Sequence, residues 1–116
     1  PEGAKQTVLV NKYERNPEAR AKCIEIYGTR CCVCGLSFEH MYGSFAKDFI
    51  HVHHLKSLHT IGERYEVDPK EDLRPVCPNC HTMLHKTENG LPMTIERLKL
   101  LYSVSLRNPL RHTFEE

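Results

Sequence analysis

Two kinds of metal-ligand spacing overlap in one short segment of this chain. Cys77 and Cys80 form a Cys-x-x-Cys pair, and His81 and His85 lie four residues apart. Pro78 favours a helix start, because its missing N–H group needs no partner in the first turn. On such a helix both imidazoles project from one face, one turn apart. The overlap predicts a helix whose start is held by a structural zinc and whose body offers two histidines to a second metal.

A second Cys-x-x-Cys pair lies upstream, where Cys31 and Cys34 precede a glycine that suits a metal knuckle. Together the two pairs have the spacing of a closed, tetrahedral and therefore structural zinc site. Cys23 and Cys32 are then buried or free thiols. The alternative is a disulfide-bonded secreted domain. The polar N-terminus has no signal-peptide core, which favours a reducing setting and therefore zinc.

A further histidine cluster completes the second metal set. His53 can join His81 and His85 to hold a divalent ion and leave positions open for water and substrate, which is a catalytic arrangement. His54, adjacent but not a ligand, can act as general base because histidine titrates near neutral pH. His51 shares a strand face with His53 and is the competing ligand. In an ideal strand His53 and His54 point to opposite faces, so the strand must end or bulge there.

The elements that must position these side chains are predicted from caps, turns and periodicity. A helix over residues 17–27 has Asn16 as N-cap and Gly28 just past its end. Its apolar face is expected to lie in the core and comprises Ala19, Cys23, Ile26 and Tyr27. The other predicted elements are a short helix or irregular connection over 36–47, a strand over 48–55, a loop over 56–71, a strand over 73–76, a helix from 78 that fades at 89–90, and a helix over 94–104.

Composition limits the function classes. The formal charge of +1 excludes a general polyanion binder, so any nucleic-acid surface must be local. Arg15, Arg20 and Arg74 are the candidates for phosphate contacts, although a solvated helix face is the default for the first two. No apolar run of about 18 residues is present, so no membrane span is expected. The polar N-terminus without a signal-peptide core favours an intracellular, cytoplasmic location. Pro1 in place of Met suggests a processed chain or a piece of a longer one.

The chain resembles the HNH nucleases through the order of its motif residues: His53-His54, then Asp72, then Cys77-x-x-Cys80-His81-x-x-x-His85. The likeness covers roughly residues 13–100 and extends to the zinc-containing HNH domains of modification-dependent restriction endonucleases and stand-alone nicking enzymes. It implies an α+β fold: a ββα-metal core over about 31–87, a Cys₄ zinc knuckle and flanking helices, all within a single domain over 1–116.

The resemblance also implies a role for each motif residue. It implies that His53, His81 and His85 bind the catalytic ion. His54 is then the general base, and Asp72 stands where the family has the asparagine that braces the loop between the strands. An aspartate can accept hydrogen bonds there but cannot donate them as an amide would.

The activity implied is divalent-metal-dependent hydrolysis of DNA, leaving 5′-phosphate and 3′-hydroxyl ends. One site cuts one strand, so a monomer should nick, and a double-strand break needs two copies or two visits. The expected partners besides DNA are a second copy of the chain, as a homodimer, or an additional target-recognition domain. Three imidazoles favour Mn²⁺, Co²⁺ or Ni²⁺ over Mg²⁺. The alternative function is a catalytically inactive, zinc-stabilised module that binds DNA or protein, which leaves the histidines unexplained.

Overall fold

Five α-helices and four short strands make up the parts of the chain that the computed structural model describes, residues 17–56 and 67–108. In chain order they are α1 (Pro17–Tyr27), α2 (Phe38–Tyr42), β1 (His51–His54), α3 (Pro69–Asp72), β2 (Leu73–Val76), α4 (Pro78–Leu84), β3 (Thr87–Glu88), β4 (Leu91–Pro92) and α5 (Ile95–Leu106). A 3₁₀ turn at Ser44–Ala46 follows α2, and Gly43 separates the two. The protein is a small α+β structure, which is the predicted fold class.

The pairing of β1 with β2 builds the platform for the histidines. The strands are antiparallel, with His51 opposite Val76 and His54 opposite Leu73. β2 spans the four predicted residues, and Leu73 and Val76 are fully buried. Because the apolar side chains of β2 anchor the hairpin in the core, the side chains of β1 are held in a fixed register.

The predicted first strand begins too early. Residues 48–50 lie outside β1, and Asp48 has φ of +64°, a left-handed conformation that a strand cannot contain. Arg20 stabilises this approach to β1 by donating hydrogen bonds to the Ile50 carbonyl at 2.6 Å and the Asp48 carbonyl at 3.1 Å. The sequence predicts that the strand ends or bulges at His53-His54. In the structure it ends at His54, and its register with β2 contains no bulge.

The apolar face of α1 is less buried than predicted. Cys23 alone on that face is fully buried, whereas Ile26 is 47% and Tyr27 37% exposed. Tyr27 instead has a peripheral role: its ring covers the Arg74 guanidinium at 4.7 Å, and its hydroxyl donates to the Lys70 carbonyl. The aromatic residue therefore ties α1 to α3 and β2. The predicted N-cap of α1 lies outside the described residues.

The predicted helix from Pro78 also ends early. α4 stops at Leu84. A β3–β4 hairpin follows it, where the sequence predicts a helix that continues to 89–90. Asn89 and Gly90 both have positive φ, 52° and 79°, as a two-residue hairpin turn requires. Asn-Gly is the strongest short sequence signal for that turn, so this hairpin was predictable.

The core lies where α4 and α5 meet the two cysteine pairs. Its buried members are Cys31, Val76, Cys77, Cys80, Leu84, Ile95 and Leu98. Thr94 caps α5 by accepting a hydrogen bond from the Arg97 N–H at 3.1 Å, which agrees with the predicted helix start. Because four of these buried residues are the zinc-ligand candidates or their neighbours in sequence, the cysteine site and the core are one structure. Within the described residues, no helix combines the length and the apolar character needed to cross a bilayer.

Candidate metal centres

The two cysteine pairs converge on one point. The sulfur atoms of Cys31, Cys34, Cys77 and Cys80 all lie within 4.8 Å of one another. In each pair the first sulfur accepts a backbone N–H from the second residue, at 3.5 Å in Cys31–Cys34 and 3.4 Å in Cys77–Cys80. These bonds form two equivalent knuckles, one of them at the N-cap of α4. The group can hold a metal ion such as zinc.

The electrostatics of this cluster call for a cation. Burial raises the pKa of Cys34 to about 11 and raises the pKa of Cys80 as well. Burial acts in the same direction on Cys31, but hydrogen bonds from backbone N–H groups, those of Cys34 and Cys77 among them, lower its pKa below the ordinary value. A doubly charged ion would allow the buried sulfurs to be thiolates together, and four thiolates in tetrahedral spacing suit Zn²⁺. The residues therefore fit a closed zinc site.

The remaining two cysteines stand apart from this cluster. Cys23 is fully buried in α1 and Cys32 is half-buried, and burial raises the pKa of each thiol, to about 11 for Cys32. All six cysteines lie in the described residues and all are free. The structure thus contains no disulfide bond, in contrast to the secreted-domain alternative.

Three histidines form a second group. They are His53 on β1, His81 on α4 and His85 at the C-cap of α4. One ring nitrogen from each lies within 4.8 Å of the other two. Their ring centroids are 5.6 Å apart for His53–His81, 5.7 Å for His53–His85 and 4.9 Å for His81–His85. The hairpin and the helix thus bring together side chains that lie about thirty positions apart. The set offers three imidazole nitrogens and leaves further coordination positions open.

Two observations indicate that this histidine group fits an ion. The buried Nδ1 atom of His53 has no hydrogen-bond partner among the described residues. Such an atom costs about 1–3 kcal/mol when left unpaired, a cost that a bound cation removes. In addition, burial and the neighbouring histidines lower the pKa of His53 and of His81 to about 4. Both rings are therefore neutral at physiological pH, which is the form that binds metals.

The lowered pKa values predict acid sensitivity of the protein without an ion at this site. As pH falls from 6.5, the ordinary value, the unfolded chain takes up protons at His53 and His81 before the folded chain does. The free energy of unfolding therefore falls between pH 6.5 and about 4. We expect a lower urea midpoint at pH 5 than at pH 7. The double variant His53→Gln/His81→Gln retains the cysteine site and should lose less; an equal loss in both proteins would contradict the prediction.

The predicted general base lies beside the three-histidine group. His54 is the last residue of β1 and is not a member of the group. It lines the same groove, of about 860 Å³, as His53, His81 and His85. His51 lines this groove too, and its Nδ1 lies 3.0 Å from the Nδ1 of His81. The sequence predicts His51 as the competing ligand, but the candidate ion-binding group in the structure consists of His53, His81 and His85.

Asp72 links the two ends of the inter-strand connection. Its side-chain Oδ2 accepts the Asp68 N–H at 3.0 Å, and its carbonyl oxygen accepts the Leu55 N–H at 2.8 Å. The carboxylate thus holds the first turn of α3, whose N-cap is Asp68. All of this short helix except Asp72 falls within the predicted loop over 56–71. The Asp68-Pro69 pair, N-cap followed by N1, was the signal for it.

We expect Asp72→Asn to retain most of any cleavage activity and Asp72→Ala to lose about tenfold. The amide oxygen of Asn can still accept the Asp68 N–H at 3.0 Å, whereas alanine removes the acceptor and leaves the turn before β2 unsupported. The comparison is of initial rates on one substrate, with folding checked by zinc content. Equal rates for both variants would show that the side chain does not brace the site.

The three arginines predicted to contact phosphate differ in what the structure shows of them. Arg15 lies outside the described residues. Arg20 lines the groove while its guanidinium holds the approach to β1. Arg74 donates to the carbonyls of Lys70 and Leu73, at 2.8 and 2.7 Å, and lies over Tyr27. Both described arginines therefore have structural partners that no sequence pattern indicated.

Comparison with known proteins adds a resemblance over part of the chain to this geometry. Searches of curated proteins and of solved structures found no significant match. The model of the HNH endonuclease family matches residues 31–87. The matched segment begins at the first cysteine pair and ends just after His85, so it contains both candidate metal centres. This segment of the chain therefore resembles an HNH endonuclease domain, which indicates nuclease activity and a nucleic-acid substrate.

Proposed function

We propose that this protein is a divalent-metal-dependent DNA endonuclease of the zinc-containing HNH type, with one hydrolytic site per chain. The observation that carries the proposal is the convergence of the three-histidine group and His54 in one groove beside a four-cysteine group. The match to the HNH endonuclease family over residues 31–87 supports it independently.

The two groups have separate roles in this proposal. The four cysteines hold a structural zinc, because a closed sulfur set leaves no position for a substrate. His53, His81 and His85 hold the working ion, which when bound supplies positive charge that offsets the negative charge on the scissile phosphate. The two residues from α4 and the one from β1 are fixed by the hairpin–helix packing, so the site is preformed.

His54 is the proposed general base. Its imidazole accepts a proton from a water molecule, and the oxygen of that water attacks the phosphorus as the bond to the 3′ oxygen breaks. The 3′ oxygen leaves as an alkoxide and takes up a proton from solvent. The products then carry a 5′-phosphate and a 3′-hydroxyl. The position of His54 supports this role: it follows the ligand His53 directly, lines the same groove, and is not needed to hold the ion.

The nucleic-acid backbone is proposed to lie along this groove. Arg20 lines it and is a proposed phosphate contact. Arg74 and Arg15 are retained as further proposed contacts. Because the formal charge of the chain is only +1, binding by these few residues is weak and non-specific. Target choice in the cell, including recognition of modified bases in a restriction system, would then come from a second copy or an additional domain.

The test of the proposed function is cleavage of a supercoiled plasmid. We expect open-circular product, since one site cuts one strand, and we expect faster cleavage in Mn²⁺, Co²⁺ or Ni²⁺ than in Mg²⁺. The metal order follows from the ligands, because three imidazoles suit these ions better than they suit Mg²⁺, which prefers oxygen. Equal or faster rates in Mg²⁺ would contradict the histidine ligand set. Linear product without an open-circular intermediate would contradict the monomeric nickase.

A further inference from the structure

A fourth histidine contacts the ion-binding group without belonging to it. His51 lies two residues before His53 on β1 and is half-buried. Its Nδ1 atom lies 3.0 Å from the Nδ1 atom of His81, and the two rings are nearly perpendicular, at 84° with centroids 5.2 Å apart. The distance is that of a hydrogen bond between two ring nitrogens.

This contact restricts what His81 can do. A neutral imidazole carries one N–H donor and one acceptor nitrogen, so a bond between two Nδ1 atoms makes one ring the donor and the other the acceptor. In either direction the Nδ1 atom of His81 is engaged, and only its Nε2 atom remains for an ion. If His81 is the donor, Nε2 carries a free lone pair and can act as a ligand.

We propose that His51 is a positioning residue for the ion site: its Nδ1 accepts the Nδ1–H proton of His81 and thereby presents Nε2 of His81 to the ion. The proposal rests on the proposed ion-binding role of the three histidines. Ligand histidines in proteins commonly donate their second ring N–H to a neighbouring acceptor, which fixes both the tautomer and the orientation of the ring.

His51 is well held for this task. It pairs with the fully buried Val76 across the β1–β2 ladder, and the centroids of the Phe49 and His51 rings are 6.1 Å apart. The hydrogen bond therefore joins a fixed strand to α4 at the residue whose orientation matters most. His53 differs, because its buried Nδ1 has no hydrogen-bond partner in the described part of the chain.

The first measurement is the tautomer of His81 in the wild-type protein, by long-range ¹H–¹⁵N correlation spectra with the histidine site free of metal and the zinc retained. The proposal expects the proton on Nδ1. A proton on Nε2 would overturn it, because His51 would then be the donor and His81 would offer no free Nε2. Neither result requires a variant to fold.

The second measurement compares the Mn²⁺ affinity of His51 variants by calorimetry. His51→Leu removes the acceptor and should weaken binding about 10–100-fold, the usual effect of losing such a partner of a metal ligand. His51→Asn places an amide oxygen near the position of Nδ1 and should restore affinity to within a few fold. The exposed His40→Ala is the matched control and should have no effect. Zinc content near one per chain shows that each variant is folded.

Three results with the variants would also overturn the positioning role. Unchanged Mn²⁺ affinity in His51→Leu would show that the contact has no function. Failure of a folded His51→Asn to recover affinity would show that an acceptor is not what the site requires. A Co²⁺ complex with one nitrogen ligand fewer in His51→Leu than in the wild type would identify His51 as a direct ligand. All readouts are made without nucleic acid, so a failure to cleave DNA would refute the proposed function and leave this test intact.

Discussion

Substitution Cys77→Ser should release the zinc and unfold the protein. Structural zinc contributes on the order of 10 kcal/mol in small peptide systems, which equals the whole stability of a typical domain. Cys77 is 1% exposed and lies in the core cluster, so the metal it would hold joins both knuckles to the core. The measurement is zinc content together with the far-ultraviolet circular dichroism spectrum at 25 °C.

Serine is chosen because it separates the metal from the helix cap. Cys77 is the N-cap residue of α4, and its sulfur accepts a hydrogen bond from the Cys80 N–H. Serine is among the residues most favoured at the N-cap position. A loss of fold in Cys77→Ser therefore reports the loss of the ion rather than of the cap. Cys32→Ser is the control, since this half-buried cysteine lies outside the four-sulfur group and should keep one zinc. A folded Cys77→Ser protein without zinc would remove the structural role from the site.

Substitution His54→Ala should lower the cleavage rate by about 10²–10⁴-fold and leave ion binding intact. The size of the loss is that expected for removing a general base, and ion binding survives because His54 is outside the ligand group. His81→Ala should instead lose both cleavage and ion binding. Rates are measured as initial nicking of supercoiled plasmid, and ion affinity by calorimetry on the same preparations.

The exposed His40→Ala serves as the control for losing a histidine without touching the groove. A His54→Ala variant that cleaves within a few fold of the wild type would exclude His54 as the base. If the wild-type protein cleaves nothing in any divalent ion, the comparison has no signal, and the inactive binding module becomes the better explanation.

The sequence predicted most reliably those features whose determinants are local. The spacing of the cysteine pairs and of His81 and His85 follows from knuckle and helix geometry, so their grouping was predictable. β2 was predicted with the correct bounds because its buried residues form a short apolar run. α3 and the β3–β4 turn also have local signals, Asp68-Pro69 and Asn89-Gly90, but the predicted loop over 56–71 and the predicted helix that fades at 89–90 missed both elements.

Features set by distant contacts were not predictable in this way. Arg20 donates hydrogen bonds to the carbonyl groups of Asp48 and Ile50, which lie 28 and 30 residues away. Asp48 is also the residue whose left-handed conformation shortens β1. The contact of His51 with His81 also spans 30 residues and depends on how α4 packs against β1. The exposure of Tyr27 has the same origin, since its partners come from α3 and β2. No periodicity in the sequence encodes these pairings.

The most direct test of the account is metal content by elemental analysis combined with a supercoiled-plasmid assay before EDTA, after EDTA and after return of Mn²⁺. We expect one tightly held zinc per chain, bound by the four-cysteine group, and nicking that disappears in EDTA and returns with Mn²⁺. One zinc with no cleavage in any divalent ion would contradict the nuclease function, and cleavage that persists without divalent ions would contradict the role of the three histidines.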